Sequence, residues 1–94
     1  MKFDGIAVDL EKIEVVRNGT PVVLSAHEFR TLQFFLLNPE RLITRAELLN
    51  AVCGYQNGYT TRSIDNHIMK LRQKLESAPI HFRTVHGLGY KFAP

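Results

Sequence analysis

The chain has 94 residues, 45% of them hydrophobic and 22% charged, which suits one modest core over residues 1–94 and excludes a disordered or fibrous polypeptide. Its apolar runs are only a few residues long and the N-terminal MKFDGIAVD has no apolar signal region, so neither a membrane span nor a secretory leader is expected, and a cytoplasmic address follows. The net charge of +3 is unevenly placed: residues 61–94 hold six Lys/Arg against two Asp/Glu, whereas 1–24 and 25–60 are near balance, which is the footprint of a polyanion binder.

Residues 1–24 read as β-structure. Ile6, Val8 and Leu10 alternate with Ala7 and Asp9, and residues 13–17 are rich in β-branched side chains. Asn18-Gly19 predicts a type I′ hairpin, because both central positions of that turn need positive φ, and it leads into a further strand over residues 22–24. With residues 1–3 as a possible edge, the result is a small antiparallel sheet of three or four strands that must cover one face.

Helices supply the cover. Ser25 and Glu28 form a capping box, with Leu24 placed as its hydrophobic staple, and Phe29, Leu32, Phe35 and Leu36 then recur at helical spacing until Asn38-Pro39 ends the helix. The Phe29, Phe34 and Phe35 stripe is read as packing, not as a ligand pocket. Thr44 and Glu47 make a second capping box; Leu48, Leu49 and Val52 give its helix an apolar face, and Gly54 closes it. The loop that follows carries Tyr55 and Tyr59, which either present a protein-binding surface or turn inward to fill a core edge.

Residues 61–76, TRSIDNHIMKLRQKLE, form the most informative segment, with Thr61 as the expected cap. Ile64, Ile68, Leu71 and Leu75 line one stripe of a helix. Turning about 100° per residue puts Arg62, Asn66, Met69, Lys70 and Gln73 on the opposite face, with His67 and Lys74 at its flank. Taken alone, this is either a solvated helix face or a set of donors suited to base edges and phosphates in a major groove. Ser77-Ala78-Pro79 breaks the helix. Residues 80–85 and 90–92 then read as two strands around His86-Gly87-Leu88-Gly89, with Arg83, Thr84, His86 and Lys91 as donors near the tip.

The lone Cys53 cannot form an internal disulfide and reads as a small buried hydrophobe; no Cys or His spacing suggests zinc, so neither metal nor cofactor is expected. His27, His67, His81, His86 and Cys53 form no readable nucleophile–base pattern, and paired carboxylates and a Gly-rich phosphate loop are also missing, so catalysis is not expected.

Four motifs stand in order: L-x-x-x-E-F at Leu24, R-x-x-L-L at Arg45, D-x-H-I-x-x-L-R at Asp65 and T-V-x-G-x-G-Y at Thr84. Together they make the chain resemble, over essentially its whole length, the C-terminal DNA-binding domain of OmpR/PhoB-type response regulators. The resemblance implies an α+β winged helix-turn-helix with an N-terminal antiparallel sheet in 1–24, a three-helix core in 25–76, a recognition helix at 62–76 and a wing hairpin at 80–93. The function it implies is sequence-specific binding of double-stranded DNA and transcription regulation, as the effector domain of a bacterial two-component phosphorelay. Domains of this kind sit head to tail on tandem direct repeats and face RNA polymerase.

Carried over by position, the resemblance assigns Asn66, Met69 and Lys70 to base reading in the major groove. It assigns Arg45, Arg62, Lys74 and Tyr90 to the DNA backbone, Thr84 and His86 to the wing near the minor groove, and Tyr55, Gln56, Asn57 and Tyr59 to the polymerase-facing loop. Three residues depart from the pattern. His86 stands where Arg is frequent, Met69 where a polar or basic residue is common, and Cys53 where a Trp usually approaches the DNA backbone. Asp65, His67 and Arg72 match the pattern, and Asp65 and Arg72 are expected to be partly structural, in a helix-borne ion-pair network. The family's receiver domain is absent from this sequence, which leaves open an excised effector domain or a protein that lacks one. A winged helix used for protein contact, without a DNA site, is the alternative; Arg45, Arg62, Lys70 and Lys74 are surplus for an apolar interface. RNA binding is disfavoured, because the sequence offers no aromatic stacking platform outside the loop tyrosines.

Overall fold

A computed structural model describes residues 1–54, 58–75 and 81–93. The first four strands are β1 (Lys2–Phe3), β2 (Ile6–Asp9), β3 (Glu14–Arg17) and β4 (Thr20–Pro21), an antiparallel sheet in sequence order. Asn18 (φ 49°) and Gly19 (φ 85°) both hold positive φ, and the two-residue loop pairs Arg17 with Thr20. The same chemistry operates at Asp4-Gly5, where positive φ at both residues pairs Phe3 with Ile6. That second hairpin signal was legible in the sequence and was missed. The sheet turns Phe3, Ile6, Val8 and Val15 inward.

Two expected strand positions need correction. The strand expected at 22–24 lies at Thr20–Pro21, because a two-residue turn starts pairing at once; only the Val22 N–H continues it, donating to the Val15 carbonyl. Val23 is 83% exposed. Ile13, expected inside a strand, holds φ 56° in a turn whose Glu11 and Lys12 N–H groups donate to the Asp9 carboxylate at 3.0 Å. An Asx-type turn of this kind is locally favoured over one more ladder residue.

Helix α1 (Ala26–Leu37) starts on the full capping box: the Glu28 N–H donates to Ser25 Oγ at 3.1 Å, and the Ser25 N–H to Glu28 Oε1 at 2.9 Å. The chain then forms β5 (Ile43–Thr44), α2 (Arg45–Cys53), α3 (Thr61–Leu75), β6 (Phe82–Val85) and β7 (Gly89–Phe92). Thr44 caps α2 by accepting from the Glu47 N–H, but the second capping box is one-sided. The Glu47 carboxylate instead takes the Arg41 guanidinium at 2.8 Å. Thr61, expected as a cap, is the first residue of α3; Thr60, just before it, and Ser63 bond reciprocally across the helix start.

The expected wing is present, with β6 and β7 paired from Val85–Gly89 to Phe82–Phe92 around a three-residue loop. What the sequence pattern hid is β5, which pairs Ile43 with Tyr90 and Thr44 with Gly89, making a second sheet of order β5-β7-β6. Two residues are too short to show periodicity. Phe82 and Phe92 pack as tilted rings at 5.0 Å, with Phe35 edge-on to Phe82 at 5.6 Å and Phe3 edge-on to Phe92 at 5.1 Å, so the wing base, α1 and β1 share the core.

Gly89 (φ 157°) sits where a Cβ would collide with the Ile43 carbonyl oxygen. Backbone cannot yield there without parting β5 from β7. Gly89→Ala is therefore expected to lower stability by about 3 kcal/mol, read from denaturant midpoints.

Candidate nucleic-acid interface

Ile64, Ile68, Leu71 and Leu75 are all buried, which seats α3 on α1 and α2 and dictates what faces outward. Arg62, Asn66, Met69, Lys70, Gln73 and Lys74 are exposed, as the helical phase predicts. Met69, at 49% exposure, is an apolar side chain set among donors. A cleft of about 220 Å³ lies between the wing and the side of α3 that carries Asp65. Arg45, Asp65 and Tyr90 line its base, with residues 84–89 along its side.

One carboxylate holds that base together. Asp65 accepts from Arg45 Nε at 3.1 Å and from an Arg45 terminal nitrogen at 2.5 Å, and it accepts the Tyr90 hydroxyl at 2.6 Å. The start of α2, the side of α3 and the middle of β7 thus meet on one side chain. Burial, the hydrogen bond to Asp65 and the charge of Asp65 push the Tyr90 phenol up to about 12. Arg72 makes a second link: its guanidinium donates to the Phe82 carbonyl, with Nε at 2.9 Å, and to Thr84 Oγ1 at 2.9 Å, while lying 5.7 Å from the Tyr90 ring centre. Burial draws the Arg72 guanidinium below its usual range. Asp65 and Arg72 therefore serve separate inter-element contacts, not the helix-borne network expected of them. They lie seven residues apart on α3, and each finds a better partner across the fold.

The sequence signature of the family described as "Transcriptional regulatory protein, C terminal" matches residues 19–92. The chain belongs to this family, in its OmpR/PhoB-type branch. Sensory transduction protein RegX3 of Mycolicibacterium smegmatis is 37% identical over 89 residues, covering 92% of this chain and 39% of RegX3. Transcriptional regulatory protein VxrB of Vibrio cholerae is 42% identical over 86 residues, covering 92% and 34% respectively. The chain thus spans well under half the length of these relatives. Among solved structures, the RstA DNA-binding domain of Klebsiella pneumoniae, in complex with RstA box, matches with a TM-score of 0.84 and 30% identity, covering 100% of this chain and 96% of that one. DrrB of Thermotoga maritima, an OmpR/PhoB homolog, matches with a TM-score of 0.88 and 26% identity, covering 100% and 44%.

In this OmpR/PhoB-type domain the residues assigned to the DNA backbone are not equally free. Arg62 is exposed on the first turn of α3, but Arg45 is held by Asp65, and Lys74 reaches back to Glu28 Oε1 at 2.6 Å. Burial works against the charge on Glu28, yet the Lys74 ammonium and the Ser25 N–H outweigh it and hold the carboxyl below its usual 4.5. Sequence periodicity cannot reveal that pair, because its members lie 46 residues apart. Tyr90 is largely buried and offers its hydroxyl to Asp65, and Thr84 accepts from Arg72, whereas His86 stands exposed at the wing tip. Tyr59 is partly exposed and sets its ring edge-on to His27 at 4.7 Å; Tyr55, Gln56 and Asn57 lie outside the described residues.

Cys53, where the family usually has Trp, is 3% exposed at the end of α2, and burial raises its thiol above the usual 9.0. No local spacing links it to a histidine, but the fold brings His27 and His67 to it.

The Tyr90 phenol gives this base a pH signature. With its folded value near 12 against 10.0 for the free group, the stability it lends is complete below pH 10 and is lost as pH rises through 12. A spectrophotometric titration should show one tyrosine ionising near pH 12, and that step should vanish in Tyr90→Phe. The same variant should cost about 1 kcal/mol in unfolding free energy, as the Asp65 carboxylate keeps Arg45.

Proposed function

We propose that this chain binds double-stranded DNA in a sequence-specific way and regulates transcription, as the effector domain of a two-component response regulator. The observation that carries this reading is an α3 anchored by four buried aliphatic side chains and presenting Arg62, Asn66, Met69 and Lys70 outward beside a wing. Such a helix is stiff enough to enter a major groove, and its outward residues are the amide and cationic donors that read base edges. The DNA complex of the RstA domain, a structure with the same fold, supports the assignment.

In this reading Asn66 and Lys70 hydrogen-bond base edges, and Met69 makes an apolar contact with a thymine methyl. Arg62 supplies the most accessible phosphate contact, while Arg45 and Lys74 reach phosphate only by sharing or leaving Asp65 and Glu28. His86 brings the wing tip to the minor groove with less charge than an arginine would. Residues 1–94 act as one module in the bacterial cytoplasm, without catalytic activity, binding head to tail on direct repeats. The loop containing Tyr55, Gln56, Asn57 and Tyr59 meets RNA polymerase. A protein-contact module without a DNA site has no comparable observation in its favour.

Selection of bound duplexes from a randomised pool, at low and physiological salt, tests the function. The expected result is enrichment of a direct repeat spaced by about one helical turn, 10–11 bp; salt-sensitive binding without enrichment would reduce the role to nonspecific attachment, and no binding would sink it. On the selected site, Lys70→Ala should cost about 1–3 kcal/mol and relax discrimination at one position, as titration by fluorescence anisotropy would show. An equal loss on random DNA would instead assign Lys70 to phosphate.

A further inference from the structure

His27 lies in the first turn of α1, Cys53 is the last residue of α2, and His67 sits on the flank of α3. One donor atom from each, two imidazole nitrogens and the thiol sulfur, lies within 4.8 Å of the other two. The His27 and His67 rings are 5.4 Å apart, and the Tyr59 ring stands edge-on to His27. Cys53 is buried, and His67 Nε2 is a solvent-shielded nitrogen with no hydrogen-bond partner among the described residues. A shielded nitrogen without a partner is unfavourable as it stands, and a cation held with the nearby thiol and second imidazole would supply the partner it lacks.

We propose that His27, Cys53 and His67 form a binding site for a thiolate-accepting d10 cation, Zn(II) or Cu(I). Sulfur and imidazole donors select this class over Mg(II) or Ca(II), which require oxygen. With metal–sulfur and metal–nitrogen bonds of about 2.3 and 2.0–2.1 Å, tetrahedral donors stand about 3.3–3.6 Å apart, so closure needs side-chain rotation of about 1 Å. On binding, the Cys53 S–H bond is replaced by a metal–thiolate bond and one proton passes to solvent; the imidazoles bind as neutral donors. Burial favours that form of His67, holding it below its usual 6.5. Three protein donors leave a fourth position for water or another ligand. Glu28 is committed to Ser25 and Lys74 and is not counted among the donors. The ion would tie α1 and the end of α2 to the helix that carries Asn66 and Lys70, which makes it a clamp on α3 independent of whether the domain reads DNA.

The test titrates the 94-residue chain with Zn(II), and separately with Cu(I) under anaerobic chelator competition. Wild type should take up one ion per chain and melt at a higher temperature with it, and whichever ion binds more tightly identifies the occupant. Co(II), as a spectroscopic stand-in, should develop a thiolate charge-transfer band that is lost in Cys53→Ser. Since loss of an outer-shell partner already costs 10–100-fold in affinity, Cys53→Ser and His27→Gln should each weaken binding by at least about 100-fold. His27 is only half-buried, so His27→Gln still reports if the cysteine variant folds poorly. No uptake of either ion by folded wild type, or uptake undiminished in both variants, overturns the site; DNA binding measured on the same samples is a separate result.

Discussion

Everything that faces outward on α3 depends on what faces inward. Ile64, Ile68, Leu71 and Leu75 each gain roughly 1.5–3 kcal/mol on burial, before conformational entropy is set against them. This is far more than any exposed residue of the helix could gain or lose by rotating the helix about its axis. The stripe therefore locks the helical phase, and with it the presentation of Arg62, Asn66, Met69 and Lys70. A helix held only by its surface charges would have no such preferred phase.

Polar contacts then orient the wing against that helix. Asp65 joins Arg45 and Tyr90, and Arg72 joins the Phe82 carbonyl and the Thr84 hydroxyl, so the hairpin is tied to α3 along its length as well as to the aromatic core at its base. These ties are directional where the apolar core is not. They orient the wing relative to α3, a relation that burial alone leaves loose. They also occupy residues that composition would count as free cations for phosphate. A positive side chain held by a carboxylate contributes less to a phosphate contact than one standing in solvent, so Arg45 and Lys74 lend this face less than Arg62 and Lys70 do.

The geometry at the junction of the three helices follows from the same packing. α1, α2 and α3 converge closely enough to bury Cys53 at a position that is usually a much larger Trp in this family. The smaller side chain removes an aromatic surface and leaves a thiol beside two imidazoles.

Much of this architecture was legible in sequence because local rules govern it. Asn18-Gly19 demands positive φ, Ser25 and Glu28 cap a helix within four residues, and the stripe of α3 repeats at helical period; each is decided by residues close in the chain. Strand edges at 13 and 22–24 were misplaced because turn geometry, not β-propensity, sets where a ladder begins. The family motifs suggested contact residues, but not the partners those side chains hold within the fold. Only the tertiary structure decided that β5 completes the wing sheet, that Asp65 serves Arg45 and Tyr90, that Lys74 answers Glu28, and that His27 and His67 meet Cys53. Each of these joins residues from different elements, separated by 14 to 47 positions, and no periodicity or cap along a chain encodes a distance that exists only after its helices have packed.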